Sequence, residues 1–319
     1  MSALGRQIVL KTVRIKLWLV IFACALLSVR GVAGELPINT DAVSKSVVFL
    51  YNEQNAAVGT AFLVAIPLKD DPKQVKLALV TAHHVVDPQW ACGAGANPTS
   101  LLARLNVKNY VSGLGQTGTN TVRVVLVENG RNVFFTHPDE RVDAVVISIS
   151  RPDKIAENDV AYINLRHFAT SEELQKYKVG VGDGIISAGL VPYFAAENRN
   201  YPAFKFGKIS SVLGQPIEKS RCGPQSHPRS TWSWVVAGNF VGGNSGSPIF
   251  LLPLEFTLGK GLTYTGPRVM LLGLLSASIE GADLSEMTPV EYIFEIIKAH
   301  YPEADLYRGP EKEVPTPAK

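Results

Sequence analysis

Cysteine is scarce in this sequence. The 319 residues hold three, Cys24, Cys92 and Cys222, and none stands at metal-ligand spacing from another, so a cysteine-held metal centre is excluded. Net charge is small as well. The formal +3 becomes −2 without the first 34 residues, which carry five Lys or Arg and no Asp or Glu, so a basic surface for an acidic partner has no support. No nucleic-acid-binding motif is present. Long apolar runs are missing apart from Leu17 to Val29 (LWLVIFACALLSV), which follows Arg6, Lys11, Arg14 and Lys16 and precedes Gly31, Ala33 and Gly34. That run falls short of the roughly 20 residues a membrane span needs. The pattern predicts a cleaved secretory signal over residues 1–34, with an uncleaved anchor as the weaker alternative, and hence a secreted or periplasmic protein without a stable membrane span. In an oxidising compartment Cys92 and Cys222, each followed by Gly in polar loop sequence, are expected to form one disulfide, two free thiols being the alternative.

What the chain does have is a 46% hydrophobic content arranged in short β-branched runs. Strands are predicted at Val47 to Tyr51, Gly59 to Ala65, Val75 to Thr81, Thr121 to Val127, Asp143 to Ser150, Gly184 to Gly189, Ala203 to Val212, Ser233 to Val236, Ser247 to Leu252 and Val269 to Ser278. Gly- and Pro-rich turns separate them, which argues for a sandwich or barrel. Two helices interrupt the pattern: Ser171 to Tyr177, capped by Thr170, and Pro289 to His300, with Val290, Ile293, Ile296 and Ile297 on one face. Beyond Tyr301 the charged, proline-rich sequence predicts a mobile tail over residues 302–319. GLGQTG (Gly113 to Gly118) matches a dinucleotide-binding pattern, but the alternating TNTVRVVLV follows where a helix is required. It reads as a hairpin loop, and no cofactor is expected.

The stretch VGGNSGSPIF (Val241 to Phe250) sets Ser245 among glycines, where backbone N–H groups can turn inward on an oxygen; it is equally a good loop composition. A serine nucleophile needs a histidine to take its proton and a carboxylate to orient that histidine. Only His300, on the predicted terminal helix, follows Ser245, which argues against the serine, acid, histidine order of α/β-hydrolases. Upstream, LALVTAHHVV runs an apolar strand into His83 and His84, and RVDAVVISIS puts Asp143 at the mouth of another.

GTAFLV (Gly59 to Val64), TAHHV (Thr81 to Val85), VDAVVISI (Val142 to Ile149) and GNSGSP (Gly243 to Pro248) together resemble the motifs of trypsin/chymotrypsin-like serine peptidases, with GNSGSP similar to the glutamyl-endopeptidase-like branch. The resemblance spans roughly Asp41 to Tyr301. It implies an all-β fold of two packed six-stranded antiparallel barrels, about 41–150 and 178–285, with a closing helix at 289–300. It further implies His84 as base, Asp143 as orienting acid with Asp139 as the fallback, Ser245 as nucleophile, and the N–H groups of Gly243 and Ser245 as the oxyanion hole. Asn244 stands where zymogen-forming members place the aspartate that receives a new N-terminus, so activation by that ion pair is not expected. Asn239 at the base and Ser276, Ala277 and Ser278 along the wall are the implied substrate-binding positions. None is charged, and Leu275 replaces the histidine of the glutamate-specific branch, so small or medium uncharged residues are expected before the cut. Glu280, just beyond that wall, is the carboxylate that could change this. The expected activity is an exported serine endopeptidase acting on peptide or protein substrates. The alternative is a protease-like binding or scaffold module whose triad is unused.

Overall fold

The run from Ala57 to Pro67 is apolar at nearly every position, and a strand without alternation can only be buried on both faces. It becomes the central strand of the first half of the molecule. The computed structural model describes residues 39–308 apart from 72, 95, 111–117, 193–197, 220–228, 253–255, 259–261, 265–268 and 280–281. Helix α1 (Thr40–Ser46), capped by the Asn39 side chain, leads into β1 (Val47–Tyr51), β2 (Ala57–Pro67) and β3 (Val75–Thr81). After the single-turn helix α2 (His83–Val86) come β4 (Ser100–Asn106), β5 (Thr119–Val125), β6 (Phe134–Thr136) and β7 (Val145–Ser148). Helix α3 (Pro152–Ala156) and β8 (Ile163–Asn164) complete this half. The sheet runs β5-β4-β1-β2-β3-β7-β6, with β8 parallel to β2.

Helix α4 (Ser171–Lys176) links the halves, and its Thr170 and Glu173 form a reciprocal capping box. The second half is β9 (Gly184–Gly189), β10 (Ala203–Ser211), β11 (Trp234–Ala237), β12 (Pro248–Leu251), β13 (Leu271–Ile279) and β14 (Leu284–Pro289). These six close into a barrel in the order β9-β10-β11-β14-β13-β12. The fold is therefore all-β, and its second half is a closed six-stranded barrel. The first half departs from the expected six-stranded barrel: it is an eight-stranded sheet that curls without closing. Strand β8, beyond the expected boundary at 150, adds to its middle strand.

Helix α5 (Val290–His300) buries Val290, Ile293, Phe294, Ile296 and Ile297. It lies against β6 and β7 of the sheet and against β13 and β14 of the barrel, so it bridges both. The expected mobile tail needs correction over residues 302–308. Ala304 is fully buried and bridges Leu68, the Asp305 N–H donates to the Pro67 carbonyl, and Arg308 lies 3.8 Å over the Phe294 ring while bonding Glu291. A polar sequence can be ordered when its backbone finds partners. Residues 309–319, like the predicted signal at 1–34, lie outside the described residues.

Candidate active site

Strand β3 ends at Thr81, and the chain turns at once into α2, which carries His84 to the mouth of the first sheet. Asp143 stands just before β7, the neighbour of β3, so adjacent strands deliver the two side chains to one place. His84 Nδ1 is 2.8 Å from Asp143 Oδ2, and the His84 backbone N–H donates to Oδ1 at 3.1 Å. A carboxylate only accepts, so Nδ1 holds the proton and the neutral ring keeps its lone pair on Nε2. Burial pushes the Asp143 carboxyl upward, but the charge and hydrogen bonds of His84 outweigh it and leave the group below its ordinary value. The Thr288 hydroxyl, from the barrel, donates to the Asp143 carbonyl at 3.2 Å.

The neighbouring candidates are occupied elsewhere. His83 is buried and stacks on Trp90 at 4.6 Å between ring centres. Asp139 takes two bonds from the Arg141 guanidinium and one from Trp232 Nε1, and those from Arg141, against a smaller push from burial, hold its carboxyl well below the usual range.

Ser245 is half-buried on the loop that precedes β12. Among the described residues, the N–H groups of Asn244, Gly246 and Ser247 donate to the carbonyls of Val241, Leu275 and Asn244, whereas those of Gly243 and Ser245 donate to no protein acceptor. Two unspent donors on one loop are what an oxyanion site requires. Gly246 has φ +87, and a Cβ there would stand 1.9 Å from the Thr60 carbonyl, so only glycine lets this loop approach β2. Gly59 is wedged likewise: its Cβ would meet Val85 Cγ2 at 2.9 Å and the Ser245 carbonyl at 3.2 Å. The residue after His84 and the backbone of Ser245 thus meet across Gly59.

Sequence reasoning missed Thr60, which ties the two halves together at this point. Its N–H donates to the Ser245 carbonyl at 2.8 Å, and its hydroxyl donates to the Gly243 carbonyl at 2.8 Å and accepts from the Leu190 N–H at 3.0 Å. Its own carbonyl accepts from the Thr81 hydroxyl at 2.7 Å. The buried Asn244 is also satisfied internally: its side chain accepts from the Val241 N–H at 3.0 Å and donates to the Leu190 carbonyl at 2.6 Å. An amide bonded in this way needs no ammonium partner. A cavity of about 560 Å³ opens beside His84, bordered by the loops at Asn52–Gln54 and Ala96–Leu101.

This fold is similar to that of serine proteases of known structure. The Rv3671c protease of M. tuberculosis in an inactive form has a TM-score of 0.42 at 15% identity, over 81% of this chain and 90% of that one. Its active form gives 0.42 at 12% identity, over 85% and 86%. The serine protease domain of the Sesbania mosaic virus polyprotein gives 0.40 at 14% identity, over 78% and 90%. No protein-family model and no curated protein sequence matches the chain. Identities this low transfer no residue roles, and what the site can do follows from its own contacts.

The expected pocket residues are spread along two segments. Asn239 is exposed before the Ser245 loop, while on β13 Ser276 is buried, Ala277 half-buried and Ser278 exposed. A β-bulge falls between Leu275 and Ala277, and the buried Ser276 hydroxyl oxygen has no hydrogen-bond partner among the described residues. Cross-strand from Ala277 lies Glu286, a carboxylate that sequence reasoning overlooked; it is buried and accepts from the Thr231 hydroxyl at 3.3 Å. Its strand, LSEMTP, lacks the β-branched alternation that would have marked it. Glu280 and Cys222 lie outside the described residues. Among the described residues no cluster of His, Cys, Asp and Glu could hold a metal, and no helix is long and apolar enough to cross a membrane.

Proposed function

We propose that this chain is an exported serine endopeptidase in which His84, Asp143 and Ser245 form the catalytic triad. The observation that carries the proposal is the two-point grip of Asp143 on His84, which fixes the tautomer a general base needs. Ser245 Oγ attacks the peptide carbonyl as His84 Nε2 takes its proton. The tetrahedral oxyanion that forms is received by the N–H groups of Gly243 and Ser245. Collapse expels the leaving amine, which takes the proton from His84, and leaves an acyl-enzyme. Water, deprotonated by the same imidazole, attacks the ester and releases the acid while the proton returns to Ser245. Asp143 stays ionised and stabilises the imidazolium.

Export and the pairing of Cys92 with Cys222 belong to this proposal, supported by the N-terminal sequence pattern and by the two cysteines beyond it. The substrate pocket is assigned to Asn239 and Ser276 to Ser278, with a preference for small or medium uncharged residues before the cut. Profiling with a peptide library tests that preference, and dominant cleavage after Lys or Arg would assign Glu286 or Glu280 to the pocket instead. The decisive experiment for the activity is labelling with a fluorophosphonate. The intact chain should be modified at Ser245, and Ser245→Ala should remove both label and hydrolysis. A folded chain that takes no label and cleaves no peptide would be a binding module.

A further inference from the structure

A closed circuit of hydrogen bonds holds the loop that carries the two unspent donors. The Leu190 N–H donates to the Thr60 hydroxyl at 3.0 Å, that hydroxyl donates to the Gly243 carbonyl at 2.8 Å, and the Asn244 amide returns to the Leu190 carbonyl at 2.6 Å. Three segments meet in it: β2, the end of β9 and the loop before β12. Room for the amide comes from Gly189, where a Cβ would stand 3.2 Å from Asn244 Nδ2 and 1.9 Å from Ser247 Oγ. Pro192 packs on the same loop, since a Cβ at Gly243, whose φ is +90, would stand 2.7 Å from its Cδ. Both peptide planes at Asn244 are thereby set. On one side its N–H donates to the Val241 carbonyl at 3.1 Å, while the Gly243 carbonyl of the same peptide is taken by Thr60. On the other its carbonyl accepts from the Ser247 N–H at 2.9 Å. A trans peptide points its N–H away from its C=O, so the Ser245 N–H is directed the opposite way.

The Asn244 side chain must accept and donate at once, because Oδ1 takes the Val241 N–H at 3.0 Å while Nδ2 gives to Leu190. A carboxylate cannot do this. It lacks the proton, and 2.6 Å from a carbonyl it would set one acceptor against another. Asn244 is 2% exposed, so water is not at hand to replace a lost partner. We propose that Asn244 is the positioning residue of the oxyanion site: the proton it gives to Leu190, and not its size, keeps the N–H groups of Gly243 and Ser245 turned to the reacting carbonyl. This rests on the peptidase activity proposed above and adds a condition to it. The site is assembled only while a hydrogen-bond donor stands at position 244.

The test is Asn244→Asp, which keeps the shape and is a donor only when protonated. Burial and the facing Leu190 carbonyl should raise its carboxyl above the ordinary value of about 4, so the variant should recover as pH falls. Its kcat is taken relative to the parent at each pH, which cancels the titration of His84. That ratio should be down by roughly a hundredfold at pH 8 and by roughly tenfold or less at pH 5, with KM near the parent's. Asn244→Leu, without a donor at any pH, should show one deficit throughout. Thermal melts carry the same signature without catalysis. A carboxyl raised by folding stabilises fully below its unfolded value and loses that contribution as pH rises through the folded one, so the melting temperature of Asn244→Asp relative to the parent should fall between pH 4 and pH 8. The proposal is overturned by an Asn244→Asp chain that matches the parent in kcat at pH 8, by a deficit that does not change with pH, or by a chain unfolded at both ends of the range, since the protonated acid can make both bonds. A parent that takes no fluorophosphonate and cleaves no peptide ends the peptidase reading alone, and the melts still decide whether the donor holds the loop.

Discussion

Two aspartates four positions apart have opposite assignments, and single substitutions separate them. Asp143→Asn should reduce turnover by roughly 10⁴ with the fold kept, because an amide at that place can favour the wrong imidazole tautomer. Asp139→Asn should leave turnover near the parent value and lower the melting temperature, since it weakens a bridge joining Arg141 to Trp232. Steady-state kinetics and thermal melts on both variants check this; an inactive, well-folded Asp139→Asn would reverse the assignment. Thr60 offers a second contrast. Thr60→Val keeps the shape but loses the hydroxyl that holds Gly243 and Leu190, so kcat should fall by roughly tenfold to a hundredfold at similar KM. Thr60→Ser should restore most of it, which a purely structural role in a packed strand would not require. In the sequence His84, Asp143 and Ser245 stand out because each puts a polar group where an apolar strand begins or ends. Thr60 does not, because a threonine inside GTAFLV reads as ordinary strand filling and its partners are 183 and 130 positions away.

Among the elements, the legible ones carry a strong period. Helix α5 announced itself through Val290, Ile293, Ile296 and Ile297, and the same pattern predicts its energetics. Ile297→Ala, at a fully buried position, should destabilise the protein by about 2 to 5 kcal/mol, measured by denaturant melts. Strand β4 was missed for the opposite reason. Its sequence SLLARLN is rich in residues that favour helices, and only pairing with β1 and β5 makes it extended. The open first sheet was missed similarly. Closure depends on how distant edges meet, and β5, with half-exposed and exposed positions throughout, gives no local sign that its outer edge pairs with no strand among the described residues.

For the whole molecule, acid is the expected weak point. Asp139 and Asp143 both have carboxyls lowered by folding, so their contribution is complete above the unfolded carboxylate value of about 4 and is lost as pH falls through the lower folded values. Denaturation midpoints should therefore drop steeply on the acid side, and Asp139→Asn should flatten that limb; a parent curve level down to pH 2 would contradict the shifts. The bridging helix α5 and the strap that follows it also have a consequence in time. Both come after His84, Asp143 and Ser245 in the order of synthesis, and chains fold from the N-terminal side as they are made. A nascent chain thus holds all three side chains before it holds the brace spanning sheet and barrel. Unfinished copies, lacking that brace, are the least able to keep the two halves in register, so a truncated product would carry the proposed catalytic residues without the assembled site.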